Sequence, residues 1–352
     1  MLKIYPRISL TTGKVTRGFA TKKAAPTPKP SAETKIANNT LLHQAFADKV
    51  AEFEHKDAFR HIPGKIRWTY IELDKHTDIL GHVLFQNNMI PKTKLLLLLG
   101  NDLEAVTSNV AATKVGVIPS HAPTGLESEQ IDHLLREIQP KTVVLHTKST
   151  AVENIDKLLP QLARANEPRD VSYPWQYPFL KAIWHINKSF YNGMLPLYNL
   201  TKDKKDVWAV GDYAEDVKAH PTSADAAVIT SKDGTEVQKI SHAQLISAAT
   251  SLSEKLSLGR NDRIGLASQF GNPASQVAFW AGIHSGSVSI VPSLEFNVDE
   301  IIRAFDNEKA TVVVGSEEQV NQLVSAGIKQ RVATLQKIAT VSPLDLQTTV
   351  HQ

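Results

Sequence analysis

The 352-residue sequence predicts an α/β fold of two similar lobes, each a mostly parallel sheet flanked by helices. Two observations lead to this prediction. Short apolar runs alternate with longer stretches of helical periodicity, and the same order of elements occurs twice along the chain. Because parallel strands must be joined by a long crossover, such alternation favours parallel sheets with helices on their faces.

The first unit begins at residues 69–73 with a helix that continues through Leu84. The five leucines at 95–99 predict a buried strand, since a run this short cannot span a bilayer. The elements that follow are a helix through Val106 and Val110, a strand at 116–119, a helix at 126–138 and a strand at 142–145.

The second unit repeats this order about 170 residues later. Three pairs of residues define the offset: Leu73/Leu245, Gly116/Gly286 and Val143/Val312. Its predicted elements are a helix from 241 to 256, a strand at 262–266, a helix through 277–280, a strand at 286–292, a helix at 298–305 and a strand at 311–315. We therefore predict a first lobe over residues 36–219, which includes a connector, and a second lobe over residues 220–352.

The connector is rich in aromatic residues, which we interpret as packing between the lobes rather than as a ligand cage. It extends over residues 150–219. Its aromatic residues include Trp175, Tyr177, Phe179, Trp184, Phe190, Tyr191, Tyr198 and Trp208.

Residues 1–19 have the composition of a mitochondrial presequence, with hydroxyl residues, no acidic residue and no continuous apolar segment. Their basic residues are Lys3, Arg7, Lys14 and Arg17. Since Arg17 lies three residues before Ala20, we expect cleavage near Phe19/Ala20 and a location in the mitochondrial matrix. The alternative is a basic terminus of a cytosolic protein. Residues 20–35, rich in Pro, Lys and Ala, predict a disordered tether.

Charge and cysteine content exclude several function classes. The formal net charge is +3, and removal of the four basic residues in 1–19 leaves −1, so no nucleic-acid surface is expected. The chain contains no cysteine, which excludes disulfides, thiolate catalysis and cysteine-bearing zinc sites. The histidines are not placed at metal-ligand spacing, so no metal site is expected.

Residues 220–242 have the sequence setting of a phosphate-binding loop. The apolar run 226–229 leads to Thr230 and Ser231, and a helix is predicted to begin at Ser241. A phosphate loop needs several glycines and a lysine, whereas only Gly234 is present here, next to Asp233. Together with Glu236, this aspartate would repel a triphosphate.

Several segments resemble the large N-terminal domain of the adenylate-forming acyl-CoA synthetases. Residues 68–73 resemble the family's WTY-x-EL helix start, residues 99–104 its PNS-x-E turn, and residues 111–119 its A-x-x-K-x-G-x-x-x-x-P segment. Residues 192–195 resemble the GML segment of the branch that activates short and medium fatty acids. Residues 220–242 occupy the place of the family's TSGTTG-x-PKG phosphate loop, and the likeness covers about residues 40–345.

The resemblance implies a vestigial nucleotide site. Thr230, Ser231 and Gly234 match the family's glycine- and threonine-rich loop and are the only cofactor-binding candidates. Lys232 and Asp233 stand where glycine and threonine belong, and the loop is two residues short. The family also needs a tyrosine- and glutamate-bearing motif, a ribose-binding aspartate, and a lysine from its C-terminal lid domain. None of these is expected in this chain, so no catalytic residue is assigned.

The sequence thus predicts a mitochondrial acyl-CoA-synthetase-like protein without catalytic activity. We expect it to act as a binding or scaffolding module with a protein partner in mitochondria, and we expect no cofactor. The first alternative is an ATP-dependent ligase of a short- or medium-chain fatty acid and CoA, completed by another chain and requiring ATP, Mg and CoA. The second is a nucleotide or acyl-CoA sensor that lacks turnover.

Overall fold

Two seven-stranded sheets contain the apolar runs of the chain. They belong to one compact unit, residues 37–352. The computed structural model describes residues 41–146, 150–162, 176–188, 191–202, 222, 224–343 and 345–351. The expected presequence and tether, as well as Trp175, Phe190 and Trp208, lie outside the described residues.

The helices of the described residues are α1 (Leu42–Phe53), α2 (Tyr70–Gln86), α3 (Leu103–Lys114), α4 (Ser128–Ile138), α5 (Thr150–Leu158), α6 (Leu197–Thr201), α7 (His242–Lys255), α8 (Pro273–Ser285), α9 (Val298–Asn307), α10 (Glu317–Ser325) and α11 (Ile328–Arg331). None of them is both long and apolar enough to cross a membrane.

The strands are β1 (Asp57–His61), β2 (Ile66–Thr69), β3 (Lys94–Leu98), β4 (Ile118–His121), β5 (Thr142–Leu145), β6 (Ala182–His185), β7 (Leu195–Pro196), β8 (Ala226–Lys232), β9 (Glu236–Ser241), β10 (Arg263–Leu266), β11 (Val288–Val291), β12 (Val312–Gly315), β13 (Lys337–Val341) and β14 (Thr348–His351).

The repeated helix starts are confirmed, and both depend on the same capping interaction. Thr69 accepts a hydrogen bond from the backbone N–H of Glu72 at the start of α2, and the Glu72 carboxylate accepts one from the Thr69 N–H. Ser241 and Gln244 make the equivalent pair at the start of α7. Such reciprocal capping satisfies two backbone donors that a helix terminus leaves free.

The largest apolar core contains the inward residues of both sheets and residues of six helices, chiefly α2, α3, α7 and α8 with smaller parts of α1 and α6. Two of them, α3 and α8, are buried along almost their whole length. A helix that is buried all round must lie inside the molecule. The outer face of the sheet that contains β3 is covered by α4 and α5, and α9 and α10 pack against the outer face of the other sheet.

The two sheets exchange hairpins, which differs from the predicted lobe boundary. The first sheet has the order β7-β6-β5-β3-β4-β8-β9, and the second has the order β14-β13-β12-β10-β11-β1-β2. Strand β8 pairs in parallel with β4, so residues 226–241 belong to the sheet of the first unit. Strand β1 pairs in parallel with β11, so residues 57–69 belong to the sheet of the second unit. A division of the chain at 219/220 therefore does not separate the sheets.

Candidate functional site

The three residues matched to a phosphate loop lie in a tight β-hairpin. Thr230 and Ser231 are residues of β8, paired with Gln238 and Val237 of β9, and they do not lie in a loop. The Thr230 side chain is buried, and the buried Ser231 hydroxyl oxygen has no hydrogen-bond partner within the described part of the chain. Only Gly234 lies in the connection, which consists of residues 233–235.

The turn has the geometry that an Asp-Gly pair favours. Asp233 has φ of 52° and Gly234 has φ of 72°. Positive φ at two successive residues is typical of a type I′ turn, which matches the twist of a two-stranded hairpin. The chain therefore reverses direction within three residues, and the expected strand–loop–helix arrangement is a strand–hairpin–helix arrangement.

The hairpin turn is closed against α4. The side-chain amide of Gln130 donates to the Asp233 carbonyl oxygen over 2.7 Å, and Nε2 of His133 lies 3.1 Å from the Thr235 carbonyl oxygen. Gly234 is buried, and a Cβ at this position would lie 2.9 Å from the Gln130 Cβ and 3.0 Å from a Leu126 methyl carbon. The turn and this helix are therefore in direct contact, with no room for a side chain at position 234.

The charges around the turn are also unfavourable for binding a triphosphate. The carboxylates of Asp233 and Glu236 are both exposed at the turn. Lys239 lies further along β9, opposite Ile229, and close enough to Lys94 to help lower the pKa of that lysine. Within the described residues, no group of acidic and histidine side chains could hold a metal ion. The residues present therefore do not fit a magnesium–nucleotide complex.

A second polar region lies where the strands of both sheets end, and we call it the inter-sheet crevice. It is formed by residues 99–104 and 121–124 of the first sheet and by residues 61–64, 267–272 and 292–294 of the second. Ligands of open α/β sheets bind outside the carboxyl ends of the strands. This makes the crevice the other location at which a functional site could occur.

All polar groups of Asn101 form hydrogen bonds across the inter-sheet crevice. Its carbonyl oxygen accepts from Nε2 of His61 over 2.6 Å, and its side-chain oxygen accepts from the Phe270 N–H over 2.7 Å. Its side-chain nitrogen donates to the Ser293 carbonyl oxygen over 2.9 Å, and its N–H donates to the Leu294 carbonyl oxygen over 3.4 Å. Asn101, in the loop that follows β3, is thus bonded to the last residue of β1 and to the loops after β10 and β11.

Two neutral histidines support this contact. Nδ1 of His61 accepts from the Gly64 N–H, which leaves the proton on Nε2, and burial lowers the pKa of His61. His121 ends β4, lies fully buried 5.8 Å from the Phe270 ring, and bonds the Asn109 side chain. Burial lowers the pKa of His121 to about 3, so this imidazole stays neutral at physiological pH.

Acidic side chains flank the start of α3 at the same crevice. Asp102 is the N-cap residue, although its side chain makes no capping bond, and Glu104 lies in the first turn. Burial raises the pKa of both carboxyl groups, whereas the proximity of His146 and a hydrogen bond from the Gly100 backbone lower that of Asp102 in part. Carboxyl groups here would disfavour a bound triphosphate.

Sequence reasoning missed the hairpin closure and the role of Asn101. The Asp-Gly dipeptide between apolar runs is a strong hairpin signal and could have identified the turn. The contacts of Asn101 are made to residues about 170 and 190 positions away, so no local pattern indicates them.

One family model matches the chain. The AMP-binding enzyme model aligns with residues 46–229, more than half of the sequence. YngI of Bacillus subtilis (strain 168), provisionally named an acyl-CoA synthetase, is 20% identical over 271 residues, which are 75% of this chain and 48% of YngI. The chain therefore spans about half the length of this curated relative.

Solved structures have the same fold. A protein of Rhodopseudomonas palustris CGA009, provisionally named a long-chain-fatty-acid CoA ligase, superposes with a TM-score of 0.69 at 17% identity and covers 88% of this chain and 71% of its own. Anthranilate CoA ligase AuaEII, in complex with anthranoyl-AMP, superposes with a TM-score of 0.70 at 14% identity. The match covers 87% of this chain and 56% of AuaEII. A fatty acyl CoA synthetase of Mycobacterium tuberculosis superposes with a TM-score of 0.67 at 14% identity. The match covers 86% of this chain and 55% of the synthetase.

These matches agree with the resemblance inferred from residues 68–73, 99–104 and 220–242 and with the two mostly parallel sheets. The chain belongs to the AMP-binding enzyme family and has the fold of the acyl-CoA ligases' N-terminal domain.

Proposed function

We propose that this chain is a non-catalytic member of its family that serves as a protein-binding or scaffolding module. The observation that carries the proposal is the closed β8–β9 hairpin. Its turn is bonded to Gln130 and buries Gly234, and by the resemblance it carries Asp233 where the family's phosphate loop has threonine. No cofactor is expected for this function.

The hairpin lacks hydrogen-bond donors that the family's phosphate loop supplies, and this lack should slow adenylation. Loss of one preorganised donor to developing charge costs about 3–4 kcal/mol, a factor of about 10²–10³ in turnover. At this hairpin the glycine-rich backbone and the lysine are replaced by a two-carboxylate turn. Although such losses are not additive, any two would reduce turnover by several orders of magnitude.

We propose a mitochondrial location and a protein partner there, supported by the basic, acid-free composition of residues 1–19. Native electrophoresis of mitochondrial extract, with detection of the chain by antibody, tests this part of the proposal. The expected result is co-migration with a large assembly. A solitary monomer in the extract would argue against a scaffold, and recovery of the chain only from the cytosol would overturn the location.

The alternative function is an ATP-dependent carboxylic acid–CoA ligase, favoured by the names of its relatives. AuaEII is described as a CoA ligase with a bound acyl-AMP, and the R. palustris protein carries a fatty-acid ligase name. This function would require ATP, Mg and CoA. Carboxylate-dependent exchange of pyrophosphate into ATP distinguishes it from the non-catalytic proposal.

A sensor function is favoured by the Ser231 hydroxyl at the end of β8, which has no hydrogen-bond partner among the described residues. A nucleotide that bound there would raise the melting temperature of the protein without turnover. Saturable stabilisation by AMP that is lost in Ser231→Ala, but retained in the exposed control Ser325→Ala, would support the sensor. An equal response of both variants would argue against it.

A further inference from the structure

Three lysines stand side by side at the amino edge of the first sheet, opposite the inter-sheet crevice. Lys94 begins β3, whereas Lys141 and Lys181 directly precede β5 and β6. The Lys141 N–H donates to the Lys94 carbonyl oxygen over 2.9 Å, and the Lys181 N–H donates to the Lys141 carbonyl oxygen over 2.8 Å. Because neighbouring strands lie about 4.8 Å apart, the three side chains start from adjacent points of one line. We call these residues the lysine row.

Residues that line an open groove of about 700 Å³ lie two or three positions before Lys141 and Lys181 in the sequence. Arg136 and Gln139, from the last turn and the C-cap of α4, line one side, and Gln139 precedes Lys141 by two residues. The other side is lined by Gln176, Pro178 and Phe179. The Lys181 ammonium donates to the Pro178 carbonyl oxygen over 2.6 Å, so this lysine is anchored at the groove wall.

Within the residues that the structure describes, the ammonium groups of Lys141 and Lys181 have no carboxylate partner. They donate to the backbone carbonyl oxygens of Asn88 and Pro178. Burial and then Lys181 lower the pKa of Lys141. Burial and then Lys239 lower the pKa of Lys94, while Glu137 opposes this effect. An anion that bound between these groups would relieve their mutual repulsion.

Arg136 adds a positioned guanidinium to the groove. Its Nε donates to both oxygens of Asp132 over 2.9 and 3.0 Å, and the guanidinium lies 5.5 Å from the centre of the Tyr177 ring. The Tyr177 hydroxyl in turn donates to Asp132. The guanidinium is thereby held in place while its side chain stays about half exposed, at 54%. Such a pre-oriented guanidinium suits the planar recognition of phosphate oxygens.

We propose that this groove binds a phosphate-bearing ligand, with the phosphate between Arg136, Lys141 and Lys181 and an apolar or planar group against Phe179. The site lies at the edge of the sheet opposite the hairpin and the inter-sheet crevice, so it is independent of the proposed non-catalytic function. The phosphate can come from a soluble monoester or from the headgroup of an anionic lipid.

Calorimetric titration of the full chain tests the site with three probes. These are phenyl phosphate, inorganic phosphate and vesicles of phosphatidic acid in phosphatidylcholine. Since each lysine supplies a charge-assisted contact, the double variant K141Q/K181Q should bind at least roughly tenfold more weakly. The control K75Q removes the same type of charge from an exposed position on α2 and should bind like the wild type. Circular dichroism verifies that all variants are folded.

The three probes also separate the two sources of phosphate. Saturable binding of phenyl phosphate assigns the site to a soluble monoester, and binding of vesicles alone assigns it to a lipid headgroup. Phe179→Ala should remove the preference for phenyl phosphate over inorganic phosphate. Absence of saturable binding by the wild type for all three probes would overturn the proposal. An equal loss of affinity in K75Q would also overturn it, because the binding would then depend on net charge.

Discussion

Asn101 concentrates the polar contacts between the two sheets in one side chain. In Asn101→Ala the Phe270 N–H and the Ser293 carbonyl oxygen, both buried, lose their partner. Each buried group left without a hydrogen bond costs about 1–3 kcal/mol, so we expect a loss of about 2–4 kcal/mol in the free energy of unfolding. Urea denaturation measures it. The exposed control Asn321→Ala should change stability by less than about 0.5 kcal/mol, and an equally mild Asn101→Ala would contradict this role.

His242 gives the fold a specific sensitivity to acid. Its Nδ1 accepts from the Leu42 N–H and so caps α1 from a distant part of the chain. Burial, and then the proximity of His43, lowers the pKa of His242 to about 4, whereas Asp225 opposes the shift. The unfolded chain therefore takes up a proton near pH 6.5 that the folded chain takes up only near pH 4.

The contribution of neutral His242 to the free energy of unfolding is fully present above pH 6.5. It declines by about 2–4 kcal/mol as the pH falls towards 4. His242→Gln keeps an acceptor that does not titrate and should remove this part of the decline. Urea denaturation of both proteins at several pH values between 7 and 4 measures the difference. The exposed His55→Gln should leave the pH dependence unchanged, and the idea fails if His242→Gln does the same.

At the scale of the element, the β8–β9 hairpin should be sensitive to any side chain at its turn. Gly234→Ala would place a Cβ 2.9 Å from Gln130 and force alanine to adopt φ of 72°. We expect a loss of about 1–3 kcal/mol in unfolding free energy, measured by thermal or urea denaturation. At Gly259 a Cβ would meet no atom within 4 Å, so Gly259→Ala is the matched control. Equal stability of the two variants would show that the turn is not closed on α4.

The same hairpin illustrates how much the sequence could predict. Strongly periodic elements such as α2, α4, β3 and β5 were predicted within a few residues, because their apolar spacing is local information. The strand β9 was missed, since its residues alternate only weakly between buried and exposed. Likewise, Thr230 and Ser231 match a loop motif by sequence, but their pairing with β9 makes them strand residues.

At the scale of the whole molecule, the exchanged hairpins link the two halves. Each sheet contains a hairpin contributed by the other unit, residues 57–69 or 226–241. The repeat predicted two lobes, but periodicity within a unit carries no information about which sheet a hairpin joins.

Because neither sheet is complete without the other half of the chain, we expect a single unfolding transition. Urea curves followed by far-UV circular dichroism and by tryptophan fluorescence should coincide. Ile240→Ala, which truncates a buried residue of β9, should shift both curves together by about 2–5 kcal/mol. Two separated transitions would contradict the linkage.

We propose that the closed hairpin has replaced the phosphate loop and that adenylation has been lost. The most direct measurement is carboxylate-dependent exchange of labelled pyrophosphate into ATP by the purified chain, with Mg and a series of short- and medium-chain fatty acids. An active ligase of the family assayed in parallel supplies the control. We predict no exchange above the rate without protein. Exchange that depends on the acid and saturates with ATP would contradict the account.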